Sequence, residues 1–334
     1  MFRNKTILRG ALLAAMLSSA ACDDSVVGAP AASPAAPRAD LATEAATVNL
    51  RSLIDTVTLT IIADSTNQYD VPTATNTTHF RTAVDRVLAG RVAGADSLLD
   101  QYAYDVYSIR DGASGDSMVV FRERKAPNSA KVARGWGTYI YNPAPARRVD
   151  VHVNHPIDDQ HTEDIGSELF RDVNGRWFMM AGARRLANFN NDADVAHQAG
   201  SVFNQMHTRV AAANVRTVSI HGFRWDNNKS LPTTVDQVLS NGRLDTALAP
   251  AYGVAETTLR DRLVGAGFTA GLFDRDAGYD VLGATTNVQG QHSNTSFGVG
   301  RWIHVETEKN VRDSTTAWRS MNDILEQWVI DFAT

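Results

Sequence analysis

The stretch Arg147–Phe170, RRVDVHVNHPIDDQHTEDIGSELF, is the one from which the fold is read. Val149, Val151 and Val153 alternate with Asp150, His152 and Asn154, the period of two expected of a half-buried strand. Pro156 stops the strand because it lacks a backbone N–H. Thr162, with Glu163 and Asp164 behind it, reads as an N-cap and acidic first turn of a helix carrying Ile165, Leu169 and Phe170. A strand thus hands over to a helix. His155 stands at the strand's carboxyl end, with Asp158, Asp159, His161 and Glu163 close behind. In open α/β sheets that edge is where sites form.

Working outward, Arg176–Ala181 (RWFMMA) predicts a buried strand that ends in Gly182, Ala183, Arg184, Arg185, Leu186, Ala187 and Asn188. Two guanidinium groups leaving a strand end can fork onto a carboxylate, or remain solvated charge. A polar loop, Asn188–Asp194, precedes a predicted helix with Val195, Ala199, Val202, Phe203 and Met206 inward. On such a helix His197 and His207 fall roughly 80° out of phase, which excludes a paired metal site of the i, i+4 kind. His197, preceded by Asp194, either faces the cleft or is a satisfied structural histidine. Thr217–Phe223 (TVSIHGF) repeats the opening arrangement, with His221 just ahead of the terminating Gly222. Two strand-terminal histidines, the first followed by carboxylates, point to zinc. Further on, Ala255–Gly265 is an amphipathic helix, and the polar loop 284–292, containing Asn287 and Gln289, can line a pocket. The last strand, Arg301–Glu308, sets Ile303 and Val305 on one face and His304 and Glu306 on the other, with Arg312 close behind. A carboxylate on a mostly apolar strand is a setting that raises pKa toward a general-base value; the alternative is an edge strand with one wet face. Ser314–Phe332 closes the chain as a core helix.

The amino-terminal part is of different character. Residues 1–21 read as a secretory leader: Arg3, Lys5 and Arg9, an apolar run from Ile7 to Leu17, then Ser18, Ser19, Ala20 and Ala21. Cys22, the single cysteine, follows, and Leu17–Cys22 resembles a bacterial lipobox with its hydrophobic residue two places early. The expected product is a lipoprotein of the bacterial cell envelope, anchored to the membrane through Cys22, on a tether (22–47) rich in Ala, Pro and Ser. With no second cysteine there is no intramolecular disulfide, so the core must supply stability. Residues 48–131 predict an α+β section: a β-branched run Leu53–Ile62, helical spacing over Phe80–Leu99, and a hairpin of Tyr102–Ile109 with Met118–Arg122 around DGASGD. That section either packs on the sheet of residues 132–334 or extends it. Net charge is −5, or −8 without the leader's three basic residues, which disfavours a general nucleic-acid or anionic-membrane binder. The fold class expected is α/β, with a mixed, mostly parallel central sheet flanked by helices.

The order of parts, strand-His-carboxylate-helix, then Arg-Arg and Asn, then strand-His, then strand-Glu, resembles the zinc carboxypeptidase-like amidohydrolases. This superfamily includes metallocarboxypeptidases, aspartoacylase-type deacylases, N-formylglutamate amidohydrolases and poly-γ-glutamate hydrolases. The resemblance spans about Val149 to Arg312 and implies that His155 and His221 are zinc imidazoles, Arg184 or Arg185 a carboxylate clamp, and Glu306 the general base. Asn188, Asn287 and Gln289 would then bind substrate. The acidic ligand departs from the family's His-x-x-Glu: the third residue after His155 is Asp158, and Asp159 and Glu163 are the favoured candidates.

On this reading a three-ligand zinc lowers the pKa of its bound water to about 7, and Glu306 takes the water's proton. The expected activity is hydrolysis of an amide bond in a small carboxylate-bearing N-acyl or peptide substrate, with Asp194 or His304 as supporting residues. The competing reading is a surface lipoprotein that binds a ligand on the same fold without turnover. A serine nucleophile has little support, because no G-x-S-x-G elbow occurs.

Overall fold

The computed structural model describes residues 45–245 and 251–333. The leader, Cys22 and most of the tether lie outside the described residues. The tether's expected end at residue 47 falls inside strand β1 (Ala46–Val48), which pairs in parallel with Ile109–Asp111 and so covers a strand edge that would otherwise stand open. Helix α1 (Leu50–Thr58) occupies the β-branched run. Asn49 caps it by accepting from the Ser52 N–H, and Leu50, Leu53, Ile54 and Val57 form one buried stripe, so amphipathic spacing prevails over β propensity. The next helical spacing divides into α2 (Ala74–Leu88) and α3 (Val92–Leu99), parted at Gly90, whose φ of +72° suits glycine. The hairpin forms as β2 (Tyr104–Asp111) and β3 (Ser117–Glu123), and both strands extend the central sheet.

The rest of the chain follows as β4 (Thr138–Tyr141), β5 (Val149–Val153), α4 (Thr162–Asp172), β6 (Trp177–Met180), α5 (Val202–Val210), β7 (Arg216–Phe223), β8 (Gln237–Ser240), α6 (Val254–Gly265), β9 (Ala270–Leu272), α7 (Val288–Phe297), β10 (Trp302–Glu308), α8 (Lys309–Asp313) and α9 (Thr315–Phe332). Among the described residues the strands form one ten-stranded mixed sheet in the order β1-β2-β3-β4-β6-β5-β7-β10-β8-β9. The central run β6-β5-β7-β10 is parallel throughout. One face is covered by an apolar cluster that includes residues of α1, α4, α6 and α9, the other by a cluster with residues of α2, α3 and α5. The fold is α/β, as its alternation of elements predicts. Chain order moves from β5 to β6 on one side and to β7 on the other, so the sheet has a switch point at the carboxyl end of β5.

Two further expectations differ from the structure. The alternation in β5 does not mark a wet face, because all five residues are buried. Helices cover both sides, so the polar residues need internal partners. Asp150 receives Arg176 Nε at 2.9 Å and Nη2 at 2.5 Å, while His152 packs edge-on against Phe203. Nor does a helix run through 195–206: it starts at Val202, where Ser201 caps it by accepting from Asn204 N–H.

Arg176→Met should cost about 3–5 kcal/mol of stability, because it leaves the buried Asp150 carboxyl without its cationic partner. Arg176→Met combined with Asp150→Leu should recover most of that loss in urea unfolding; equal stability of the two variants would contradict the pairing. Glu123 offers a pH-dependent case. It accepts from the backbone N–H groups of Arg134, Gly135 and Trp136, yet burial pushes its carboxyl up to about 7. A carboxyl raised above its unfolded value contributes stability that is complete below pH ~4.5 and is lost as pH rises through ~7. Between pH 5 and 8 the wild type should therefore lose on the order of 3 kcal/mol more than Glu123→Gln. Parallel pH profiles for the two proteins would remove this assignment.

Candidate metal centre

Because β5, β6, β7 and β10 run the same way, their carboxyl ends share one edge, and the residues singled out there meet. Register sets Glu306 beside His221 and His304 beside Ser219. The His155 and His221 rings lie 4.9 Å apart, centroid to centroid, at 81°. Asp159 Oδ2 stands 3.4 Å from His155 Nδ1 and 3.3 Å from His221 Nδ1. One donor atom from each of His155, Asp159 and His221 falls within 4.8 Å of the other two, and all three residues are buried. His221, His304 and Glu306 form a second such group that shares His221.

Local backbone geometry explains why Asp159 is the acid delivered. The Asp159 N–H returns to the His155 carbonyl at 3.0 Å, closing a single turn in which Ile157 adopts a φ of +72°. Residue 159 is thereby stacked over residue 155. Asp158 faces the other way, toward Arg184 Nε at 2.8 Å and the Arg185 N–H at 2.8 Å. Glu163 is not brought to the group: its Oε2 is buried without a hydrogen-bond partner among the described residues, and burial raises its pKa. The helix it belongs to starts after His161, which holds the N-cap position at φ +70°, so Thr162 is the first helical residue rather than the cap.

Each imidazole is oriented from behind. His155 Nε2 meets Asp194 Oδ1 at 2.8 Å, leaving Nδ1 on the Asp159 side without a hydrogen bond among the described residues. His221 Nε2 meets Ser219 Oγ at 3.1 Å, and that hydroxyl donates to Asn154 Oδ1 at 2.9 Å. Such outer partners select the tautomer of a ligating histidine. Burial alone would lower His155, but Asp159 and Asp194 overcome it and raise the ring to about 9. His221, with less acid around it, is lowered by burial and by His304 to about 4. Burial would raise Asp159; His155 and His221, with Arg185 beside them, hold it well below the usual carboxylate range.

These residues fit a metal ion. The unpartnered His155 Nδ1, the facing His221 Nδ1 and the Asp159 carboxylate are a nitrogen-and-oxygen donor set suited to zinc. Glu306 Oε1 is tied to His304 Nε2 at 2.9 Å, while Oε2 is buried without a partner among the described residues. The cavity in front has a volume of about 750 Å³ and is walled by Arg184, Arg185, Arg224, Asn287, Lys309 and Arg312 among others.

The remaining expected contacts divide. Arg184 and Arg185 line the cavity but are engaged: Arg184 pairs with Asp64 and Asp158, and Arg185 with Asp158 and Asp159. Asn188 does not reach the cavity, because its amide brackets Tyr69, accepting from its N–H at 3.1 Å and donating to its carbonyl at 3.0 Å. Gln289 is wholly buried, donating to the Val195 carbonyl and accepting from Asn154. Asn287 does border the cavity, where it caps α7 by accepting from Gly290 N–H. His197 lies in a loop, bridging Asp194 and Thr286 at 2.9 and 3.1 Å. Sequence reading missed the Ser219–Asn154 support of His221. Its signal was present, since Ser219 shares a strand face with His221 two residues on.

The sequence matches no protein-family model and no curated protein. Among solved structures the chain is similar to a bacteriophage poly-gamma-glutamate hydrolase, at 11% identity and a TM-score of 0.38 over 56% of this chain and 86% of that one. It is also similar to N-formylglutamate amidohydrolase from Ralstonia eutropha, at 12% identity and a TM-score of 0.38 over 58% of this chain and 96% of that one. A third is the succinylglutamate desuccinylase from Chromobacterium violaceum, at 8% identity and a TM-score of 0.36 over 74% and 73% of the two chains.

Proposed function

We propose that this chain is a metal-dependent amide hydrolase acting on a small N-acyl or peptide substrate that bears a carboxylate. The observation that supports the reading best is the convergence of His155, Asp159 and His221 at a cavity that also holds Glu306. Those three residues would hold zinc, which when bound polarises a carbonyl and makes water nucleophilic near neutral pH. Asp194 and Ser219 keep the two rings turned so that their Nδ1 atoms face each other across Asp159. Glu306 has one oxygen steadied by His304 and the other free to take a proton from water and return it to the leaving nitrogen.

Charge supports an anionic substrate. Five cations, Arg184, Arg185, Arg224, Lys309 and Arg312, line the cavity against four carboxylates, Asp64, Asp158, Asp159 and Glu306, before any metal adds its own charge. Since Arg184 and Arg185 are bound to aspartates, Arg224, exposed on the rim just after β7, is the better placed to receive a substrate carboxylate. Outside the described residues, the lipobox-like Leu17–Cys22 supports anchoring of the chain to a bacterial envelope membrane.

Glu306→Gln should retain zinc and lose about 10²–10⁴-fold in hydrolysis of N-acyl amino acids. His221→Ala should lose both zinc, measured as bound stoichiometry, and turnover. Near wild-type hydrolysis by zinc-loaded Glu306→Gln would remove Glu306 as the base, and a wild-type protein with no hydrolysis across such a panel would leave a binding function in its place. Cys22→Ser should move the protein from the membrane to the soluble fraction of cells; unchanged partitioning would end the anchor proposal.

A further inference from the structure

Arg312 is 3% exposed and sits on α8, immediately after β10, at the inner wall of the cavity. Its guanidinium donates in three directions to three backbone carbonyls. Nε reaches Thr307 O at 2.9 Å, Nη1 reaches Gln160 O at 2.5 Å, and Nη2 reaches Phe223 O at 3.1 Å. Each acceptor lies within two residues of the metal centre: Thr307 follows Glu306, Gln160 follows Asp159, and Phe223 lies two beyond His221. Their three carriers are separate in sequence: the end of β10, the loop after β5 and the end of β7.

We propose that Arg312 is the positioning residue of this centre, a single buried fork that ties together the chain segments carrying Asp159, His221 and Glu306 and so sets how tightly the site grips a metal. The inference rests on the metal-centre reading above.

Several observations separate this role from that of an ordinary surface or ion-paired arginine. Arg184 and Arg185 end on carboxylates, whereas Arg312 forms no ion pair with a carboxylate among the described residues. A buried cation so placed is costly unless its N–H groups are satisfied, and carbonyls at strand ends satisfy them. A planar guanidinium can address three acceptors in one plane, which a lysine ammonium on a flexible stem cannot reproduce. β7 is also shaped for it. A Cβ built on Gly222 would lie 2.3 Å from Arg312 Nε and 2.4 Å from Cζ, and Gly222 is not among the positive-φ glycines. Glycine at 222 thus provides room for the guanidinium rather than a backbone twist. Loss of the fork would let three segments drift independently, and a metal site fails when its ligands are loose by an ångström or less.

The test uses the full chain with Arg312→Lys, Arg312→Ala and Gly222→Ala, the last keeping the arginine but pushing it from its seat. Cobalt(II) serves as the probe, read by titration and by its visible absorption, alongside amide hydrogen exchange over 157–161, 221–224 and 305–308. All three variants should bind cobalt 10–100-fold more weakly with altered absorption. Exchange in the three segments should rise together, at least about tenfold, while the β2–β3 hairpin keeps its protection. Millimolar guanidinium should restore part of the cobalt affinity of Arg312→Ala and of no other variant. Wild-type cobalt affinity and unchanged exchange in Gly222→Ala and Arg312→Lys would overturn the proposal while leaving the metal centre standing. A wild-type protein that takes up no cobalt would remove the centre and this role with it, even where exchange shows the tie to be real.

Discussion

Parallel pairing of β6, β5, β7 and β10 is the constraint on which the rest of this molecule depends. Parallel neighbours cannot be joined by tight turns, so each crossover must travel over a face of the sheet, and helices such as α4 cover it. The covered strands become apolar on both sides, as Trp177, Phe178, Met179 and Met180 of β6 illustrate. Their carboxyl ends are left on one edge, where irregular chain follows β5 and β6 and α8 follows β10 directly. A polar side chain placed at the end of any of these strands therefore faces the same space as the others. His155, His221 and Glu306 come from segments far apart in sequence, and strand direction brings them together before any specific contact is made.

Covering both faces carries an electrostatic consequence. Asp150 and His152 occupy positions that an exposed strand would give to water, and the fold accommodates them by different means. Asp150 is paired with Arg176, which offsets part of the upward pKa shift that burial imposes. His152 is held well below the usual imidazole range by burial, with no hydrogen bond to either ring nitrogen among the described residues. A neutral ring packed against Phe203 and His207 is the cheaper arrangement where no acid is at hand. At the open edge the opposite holds, since Asp159 and Asp194 keep His155 readily charged.

What could be read from the amino-acid sequence follows this division. The faces of these strands were legible because a period of two puts His221 and Glu306 on a definite side, but Gly222 does not end its strand, since β7 runs through it to Phe223. Helices α4 and α9 were legible from their apolar spacing. Contacts made by loops were not. Asn188 brackets Tyr69 across 119 residues, and Gln289 reaches Asn154 across 135, pairings that no local pattern encodes. Arg184 and Arg185 line the cavity, and their pairing with Asp158 was not legible, because ion pairing depends on the turn taken after His155. Helix α1 was obscured by Val57, Thr58 and their β-branched neighbours, whose preference for strands yields once one helical stripe can be buried.

The turn after His155 also decides which acid meets the two rings. The chain closes a turn from Asp159 N–H to the His155 carbonyl, which stacks the fourth residue over the first and lets the Asp159 carboxylate face both rings. The left-handed Ile157 makes that closure possible at some steric cost, borne by a β-branched residue that rarely adopts such a conformation. Asp158, one position earlier, turns instead onto Arg184 and Arg185 at the cavity wall, so the two adjacent aspartates meet different partners. Strain at Ile157 and the Asp158 ion pairs are thus two sides of one arrangement, which turns Asp159 rather than Asp158 toward both rings.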